Sequence, residues 1–142
     1  MTTIDAPRTP VRRTNWEKWG WMYMRASGVL LVVLIFTHLY VNMVGGEGVK
    51  QIDFAFVAGK WAHPFWQVWD LLLLWLALIH GGNGMRTIAN DYTRPRTARI
   101  LSISIWSVVA ILIVLGTLVI FTFDPCPPSS PADLLPSFCS TL

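Results

Sequence analysis

The sequence predicts an all-α integral membrane protein with three transmembrane helices, its N-terminus cytoplasmic and its C-terminus outside. Three observations lead there. Hydrophobic residues make up 54% of the 142 positions and charged residues 13%, about half the roughly 25% of a soluble domain. The apolar residues are gathered into three blocks, at about residues 22–44, 64–88 and 100–123. The basic residues fall mostly on one side of those blocks. A chain so poor in charge, with a mean hydropathy of +0.50, cannot clothe a water-facing surface. That excludes a soluble enzyme, a disordered tail and a disulfide scaffold, and no stretch remains for a separate catalytic domain.

Residues 1–21 form a polar arm expected on the cytoplasmic side. It has no apolar core or small-residue cleavage site of a signal peptide, and Arg12–Arg13 lacks the apolar run of a twin-arginine signal. The membrane domain then spans residues 22–123. Its first block contains VLLVVLIFTHLYVNMV and its second FWQVWDLLLLWLALIH. Each block reaches the roughly 20 residues needed to cross about 30 Å of hydrocarbon as a helix. Backbone groups in lipid must bond within their own segment, so helices are the expected form. Arg8, Arg12, Arg13, Lys18, Arg25, Arg86, Arg94, Arg96 and Arg99 are nine cations on one side, against Lys50 and Lys60 on the other. Nine against two sets the orientation; the expected location is a bacterial inner (plasma) membrane. Trp16, Trp19 and Trp21 would form the inner aromatic belt, and Trp61, Trp66 and Trp69 the outer one. The partner expected from composition is membrane lipid, with no nucleic acid.

The Pro/Ser-rich tail, residues 124–142, holds both cysteines, Cys126 and Cys139. On the outer face an oxidising compartment permits a disulfide closing a loop of about 14 residues. Two idle thiols are the alternative, and either reading is structural.

Ionisable residues inside spans are costly and mark bundle interiors or cofactors. Here they are His38, Asp70 and His80. His80 is followed by Gly81, Gly82 and Gly84, each unfavourable in a helix by roughly 1 kcal/mol relative to Ala. Such small residues let a backbone or a flat ligand come close. A neutral imidazole beside a glycine-lined face suits an axial haem ligand; the alternative, which spacing alone favours, is a helix–helix hydrogen bond with the glycines serving packing. At 100° per residue Gly84 lies about 40° and Asp91 about 20° from His80 on a continuous helix, with Asp91 about 16 Å further along. Tyr92 follows, and its phenol can donate to a carbonyl such as a quinone head group carries. An ordinary helix end, closed by Pro95, explains the same residues. His38 and Asp70 lie at one depth near the outer boundary, either as a neutralising pair or with His38 as a second haem ligand. Arg25 either snorkels or meets an anion such as a haem propionate.

The run His80-x-x-x-Gly84-Met85, continuing to Asp91-Tyr92 and Pro95, resembles the second span of the small, D-type membrane anchor of succinate dehydrogenase, the succinate:quinone oxidoreductase of respiratory complex II. Arg25-Ala26 at the mouth of the first span is similar to that family's pattern as well. The resemblance covers about 100 residues and is specific in the second span. It implies that His80 ligates haem b, shared with a second, cytochrome b556-like membrane-anchor subunit. It also implies that Tyr92, assisted by Asp91, binds quinone near a docked iron–sulfur subunit, that Arg25 reaches a haem propionate, and that Gly84 faces the haem. A flavoprotein subunit would oxidise succinate, feeding the respiratory chain from the tricarboxylic acid cycle; this chain alone would not be catalytic. His38, Asp70 and the cysteine-bearing tail depart from the pattern. Two other readings stand beside this one: an anchor subunit of quinol:fumarate reductase, and a non-catalytic transporter subunit with His38, Asp70 and His80 on a proton path.

Overall fold

A computed structural model describes residues 16–128 together with Ser137 and Cys139. The first 15 residues of the expected arm, with Arg8, Arg12 and Arg13, lie outside the described residues, as do most of the tail and the side chain of Trp16. The described residues are 87% helical, with no strands among them. Helix α1 spans Trp16–Leu39 and runs on through a π-helical turn, Tyr40–Val44; α2 spans Phe54–Trp61, α3 Pro64–Tyr92 and α4 Pro95–Thr122. Three stretches are long and apolar enough to cross a membrane: Lys18–Val44, Pro64–Tyr92 and Pro95–Thr122, with mean hydropathies of 2.0, 1.2 and 2.7.

The helices overrun the apolar blocks. α3 continues past residue 88 to Tyr92, and α4 begins at Pro95 rather than near residue 100. Hydropathy locates the part that suits hydrocarbon, whereas caps locate the ends of helices. Pro64 and Pro95 each occupy the first turn, where a missing N–H costs nothing, and the His63 ring nitrogen Nδ1 accepts from the Phe65 amide at 3.2 Å. At the far end of α3 the Thr93 hydroxyl donates to the Ala89 carbonyl at 2.7 Å. Only Thr93 and Arg94 then separate α3 from α4, so the two helices form a tight antiparallel hairpin.

Small residues bring those two helices together. A Cβ built on Gly82 would stand 2.8 Å from Val109 Cγ2, and one on Gly116 would stand 2.6 Å from Leu74 Cδ2. Ala89 and Ala98 are buried nearer the hairpin turn, and the Trp75 indole donates to the Thr117 hydroxyl at 3.0 Å. This close approach through small side chains is the usual way for helices to associate in lipid. On α1 the buried residues are Ser27, Leu31 and Leu34, whose spacing of four and three puts them on one face. Elsewhere large apolar side chains are left open: Phe36, Ile103 and Phe121 are 67%, 63% and 67% exposed. That surface suits lipid and neighbouring membrane subunits rather than water.

The connection from α1 to α3 contains a short helix that the hydropathy pattern did not anticipate. Gly46 and Gly48 take φ of 60° and 65°, a backbone that glycine adopts without strain, and turn the chain back. Asp53 then caps α2, its carboxylate accepting from the Phe56 amide at 2.8 Å. The rings of Phe54 and Trp61 pack on Phe123 at the end of α4, with centroids 5.9 and 5.2 Å apart. Just beyond, Cys126 and Cys139 are joined in a disulfide with Cα atoms 5.6 Å apart. The bundle thus has one end rich in arginine, at the α3–α4 turn, and another closed by α2 and an aromatic cluster.

Candidate functional site

His80 lies midway along α3 and meets α1. Its Nδ1 stands 2.9 Å from the Ser27 hydroxyl, which is only 3% exposed. The same hydroxyl lies 3.4 Å from the Met24 carbonyl, which it can reach only as donor. A serine has one proton to give. With that proton turned to Met24, the serine oxygen accepts from Nδ1–H, and His80 holds the tautomer whose lone pair is on Nε2. Among the described residues no side chain bonds Nε2. Glycine permits the contact: a Cβ on Gly28 would stand 3.4 Å from His80 Cε1, the tight end of ordinary packing.

The three glycines after His80 divide between two jobs. Gly82 is buried against Val109 and serves the α3–α4 contact. A Cβ on Gly81 or Gly84 would meet nothing within 4 Å. Beside the imidazole, then, α3 presents a smooth, open flank with nothing of this chain laid on it. An imidazole with Nδ1 held by a hydroxyl and Nε2 free is the arrangement a metal-ligating histidine takes. The described residues hold no cluster of three or more His, Cys, Asp or Glu able to bind a metal ion. His80 is one such donor, and any further ligand to a haem held there would come from outside the described residues. On these counts the residues fit a haem.

Arg25 lies one turn before Gly28 on α1 and is exposed, with its guanidinium 4.1 Å from the centre of the Trp21 ring. Asp91 and Tyr92 occupy the last turn of α3. Both are exposed, Tyr92 at 84%, and among the described residues no side-chain hydrogen bond joins them to each other or to His80. Eleven residues of helix separate Asp91 from His80, about 16 Å along the axis. Asp91 and Tyr92 stand at the arginine-rich end, whereas Arg25, one turn from the Gly28–His80 contact, lies nearer the depth of the imidazole.

At the opposite end His38 and Asp70 come together. His38 Nδ1 is 3.3 Å from Asp70 Oδ1, with the side chains 37% and 15% exposed. The other carboxylate oxygen accepts from the Trp61 indole at 2.9 Å. Asn42 extends the cluster, donating to the His38 carbonyl at 2.6 Å and accepting from Lys60 Nζ at 2.8 Å. Burial pushes the Lys60 ammonium below the usual lysine pKa, while the Asp70 carboxylate pulls it back up. His38, Asp70 and Trp61 also border a cavity of about 530 Å³ whose other walls, Leu74 and Val119 among them, are apolar.

Sequence reasoning left His80 without a partner for its second nitrogen and missed Ser27, Trp61, Asn42 and Lys60. Ser27 and His80 are 53 positions apart, and no local pattern links them. The only local sign was a small polar residue two positions after Arg25 in an otherwise apolar block.

Comparison with known families matches residues 6–124 of this chain to the succinate dehydrogenase/fumarate reductase transmembrane subunit. A search of curated proteins finds no match.

Proposed function

The chain belongs to that family of transmembrane subunits, and on this premise we propose that it is the D-type anchor of a succinate:quinone oxidoreductase. The family makes it a membrane subunit of an oxidoreductase complex rather than an enzyme by itself, and favours this reading over a transporter subunit. Flavin and iron–sulfur chemistry then lie on other subunits; the described residues of this chain hold no cysteine besides the bonded pair.

In this reading His80 would hold the iron of haem b through Nε2, and a second anchor subunit would supply a further ligand. One observation carries the assignment. Ser27 occupies Nδ1 at 2.9 Å, while Nε2 and the flank of Gly81 and Gly84 are left open. The hydroxyl fixes both the tautomer and the ring plane, which a ligand histidine needs from its neighbours. Bound there, the haem would take up and release one electron at a time. Arg25 offers a guanidinium to a propionate, a charge-assisted and bidentate contact. Tyr92 supplies a phenol donor to a quinone carbonyl. Asp91, one residue before it, orients that donor and can pass a proton from the aqueous side to the quinone as it is reduced. The direction proposed is from succinate to quinone, and a quinol:fumarate reductase anchor would use the same groups in reverse.

Tyr92→Phe tests the quinone site in the purified complex. Succinate-dependent quinone reduction should fall by at least about tenfold, as for loss of a positioned donor worth about 1.5 kcal/mol. Succinate oxidation by an artificial dye should be unchanged. Equal loss in both assays would remove Tyr92 from the quinone site.

A further inference from the structure

Arg86 lies six residues before the end of α3, about 9 Å along the axis from Tyr92, within a stretch apolar enough to span a membrane. An arginine at such depth is costly unless it meets an anion. Among the described residues it has none, since the ion pair found there is His38–Asp70. Arg86 borders a cavity of about 520 Å³ between α3 and α4, together with Asn90, Ser102, Ile103, Trp106 and Ser107. The side chains of Arg86, Asn90, Ser102 and Ser107 make no hydrogen bond within the described residues. On α4, Arg99 precedes Ser102 by three positions and Trp106 by seven, and so shares their face one turn nearer the arginine-rich end.

Every member of this set can donate and none is a carboxylate: a guanidinium, an amide and two hydroxyls, and a second arginine above them. It suits an anion with several oxygens, and a planar guanidinium matches a phosphate two bonds at a time. Where the groove opens supplies the rest. About His80, Arg86 and Asn90 lie at roughly 240° and 280° on the α3 wheel, against about 40° for Gly84 and 20° for Asp91. The groove therefore opens away from the flank assigned to the haem, and Ile103 on its wall is 63% exposed. Apolar wall below and cationic rim above match one molecule from phosphate to acyl chain. We propose that this groove binds an anionic phospholipid in the leaflet at the arginine-rich end, with its phosphate on Arg86, Asn90 and Ser102 and one acyl chain along Ile103 and Trp106. Basic pockets between transmembrane helices are known to hold such head groups. The assignment is independent of the haem reading.

The test is native mass spectrometry of the whole membrane complex, delipidated in mild detergent and then offered phosphatidylglycerol or phosphatidylcholine with identical chains. The wild-type complex should retain one phosphatidylglycerol per copy of this chain, at least about tenfold better than phosphatidylcholine. Arg86→Gln should weaken that retention at least about tenfold and Arg86→Lys less, with millimolar inorganic phosphate displacing nothing. Asn90→Leu, which keeps both arginines, should also weaken it and serves if Arg86→Gln does not assemble. Equal retention by the variants, or no preference between the two lipids, overturns the proposal. Displacement by inorganic phosphate overturns it in favour of a free-anion site. Loss of a protein subunit from Arg86→Gln, with lipid retention unchanged, overturns it in favour of a partner's carboxylate.

Discussion

Two histidines bridge the same pair of helices and are held in opposite ways. His80, on α3, is held by a hydroxyl of α1, 2.9 Å away; His38, on α1, is held by a carboxylate of α3, 3.3 Å away. The first partner is neutral, so it orients the ring without supplying a charge, and a smooth glycine flank lies alongside. The second partner is an acid whose two oxygens are shared between His38 and Trp61, and the cluster extends through Asn42 to Lys60. An intramembrane imidazole beside a carboxylate is an element of a closed polar network. The same ring beside a serine and two open glycines would suit a ligand from outside the chain. Neither Nε2 has a partner among the described residues; what separates the two is the group on Nδ1, a hydroxyl against a carboxylate, and the glycine flank beside His80.

Exchanging the two losses breaks the comparison most sharply. His80→Ala should abolish the b-type haem bands of the dithionite-reduced complex while the subunits still co-purify, because the variant leaves only the Ser27 hydroxyl short of a partner, about 1 kcal/mol. His38→Ala should keep the full spectrum. A haem signal lost from His38→Ala and kept in His80→Ala would reverse the assignment of the two sites.

The glycines sharpen it at a smaller scale. In Gly84→Ala the added methyl meets nothing of this chain within 4 Å, so stability should rise by about 0.5–1 kcal/mol, the helix preference of Ala over Gly. Haem retention should fall about tenfold, because the methyl enters the space assigned to the macrocycle. Gly82→Ala should do the reverse. Its methyl would stand 2.8 Å from Val109 Cγ2, and overpacking of that kind costs about 1–3 kcal/mol, seen as a lower melting temperature with the haem spectrum retained. If Gly84→Ala and Gly82→Ala gave the same pattern, the division of labour among the glycines would be wrong.

Ser27→Ala is the subtlest. The imidazole should still ligate, but with its tautomer and plane less constrained. Haem affinity should drop by about tenfold, the lower end for loss of an outer-shell partner, with a shift in midpoint potential and little change in assembly. Unchanged affinity and potential would reduce Ser27 to packing.

The two halves of the molecule also differ in how far they were legible in the sequence. Block length and charge asymmetry suffice for three spans, because lipid leaves a backbone almost no alternative to helix. His80 stood out because three glycines follow it within four positions, a pattern a helix tolerates only for a reason. Periodicity could put Gly84 on the His80 face, but it could not say that Gly82 meets Val109 while Gly81 and Gly84 meet nothing. That depends on where a second helix lies. Ser27 and Trp61 were invisible for the same reason, since their bonds to His80 and Asp70 join separate helices. The helix α2 escaped because eight residues form less than one apolar block, and its stability comes from the Asp53 cap and from Phe123 beyond α4. Resemblance to a known anchor family pointed to Arg25, Asp91 and Tyr92, whose exposed positions give no signal in this chain alone.

The most direct measurement is a density map of the intact complex around His80. The account predicts a porphyrin along the Gly81–Gly84 flank with its iron on Nε2, and the Ser27 hydroxyl still within hydrogen-bond distance of Nδ1. An imidazole whose two nitrogens both bond protein side chains, with no macrocycle beside it, would contradict the account outright.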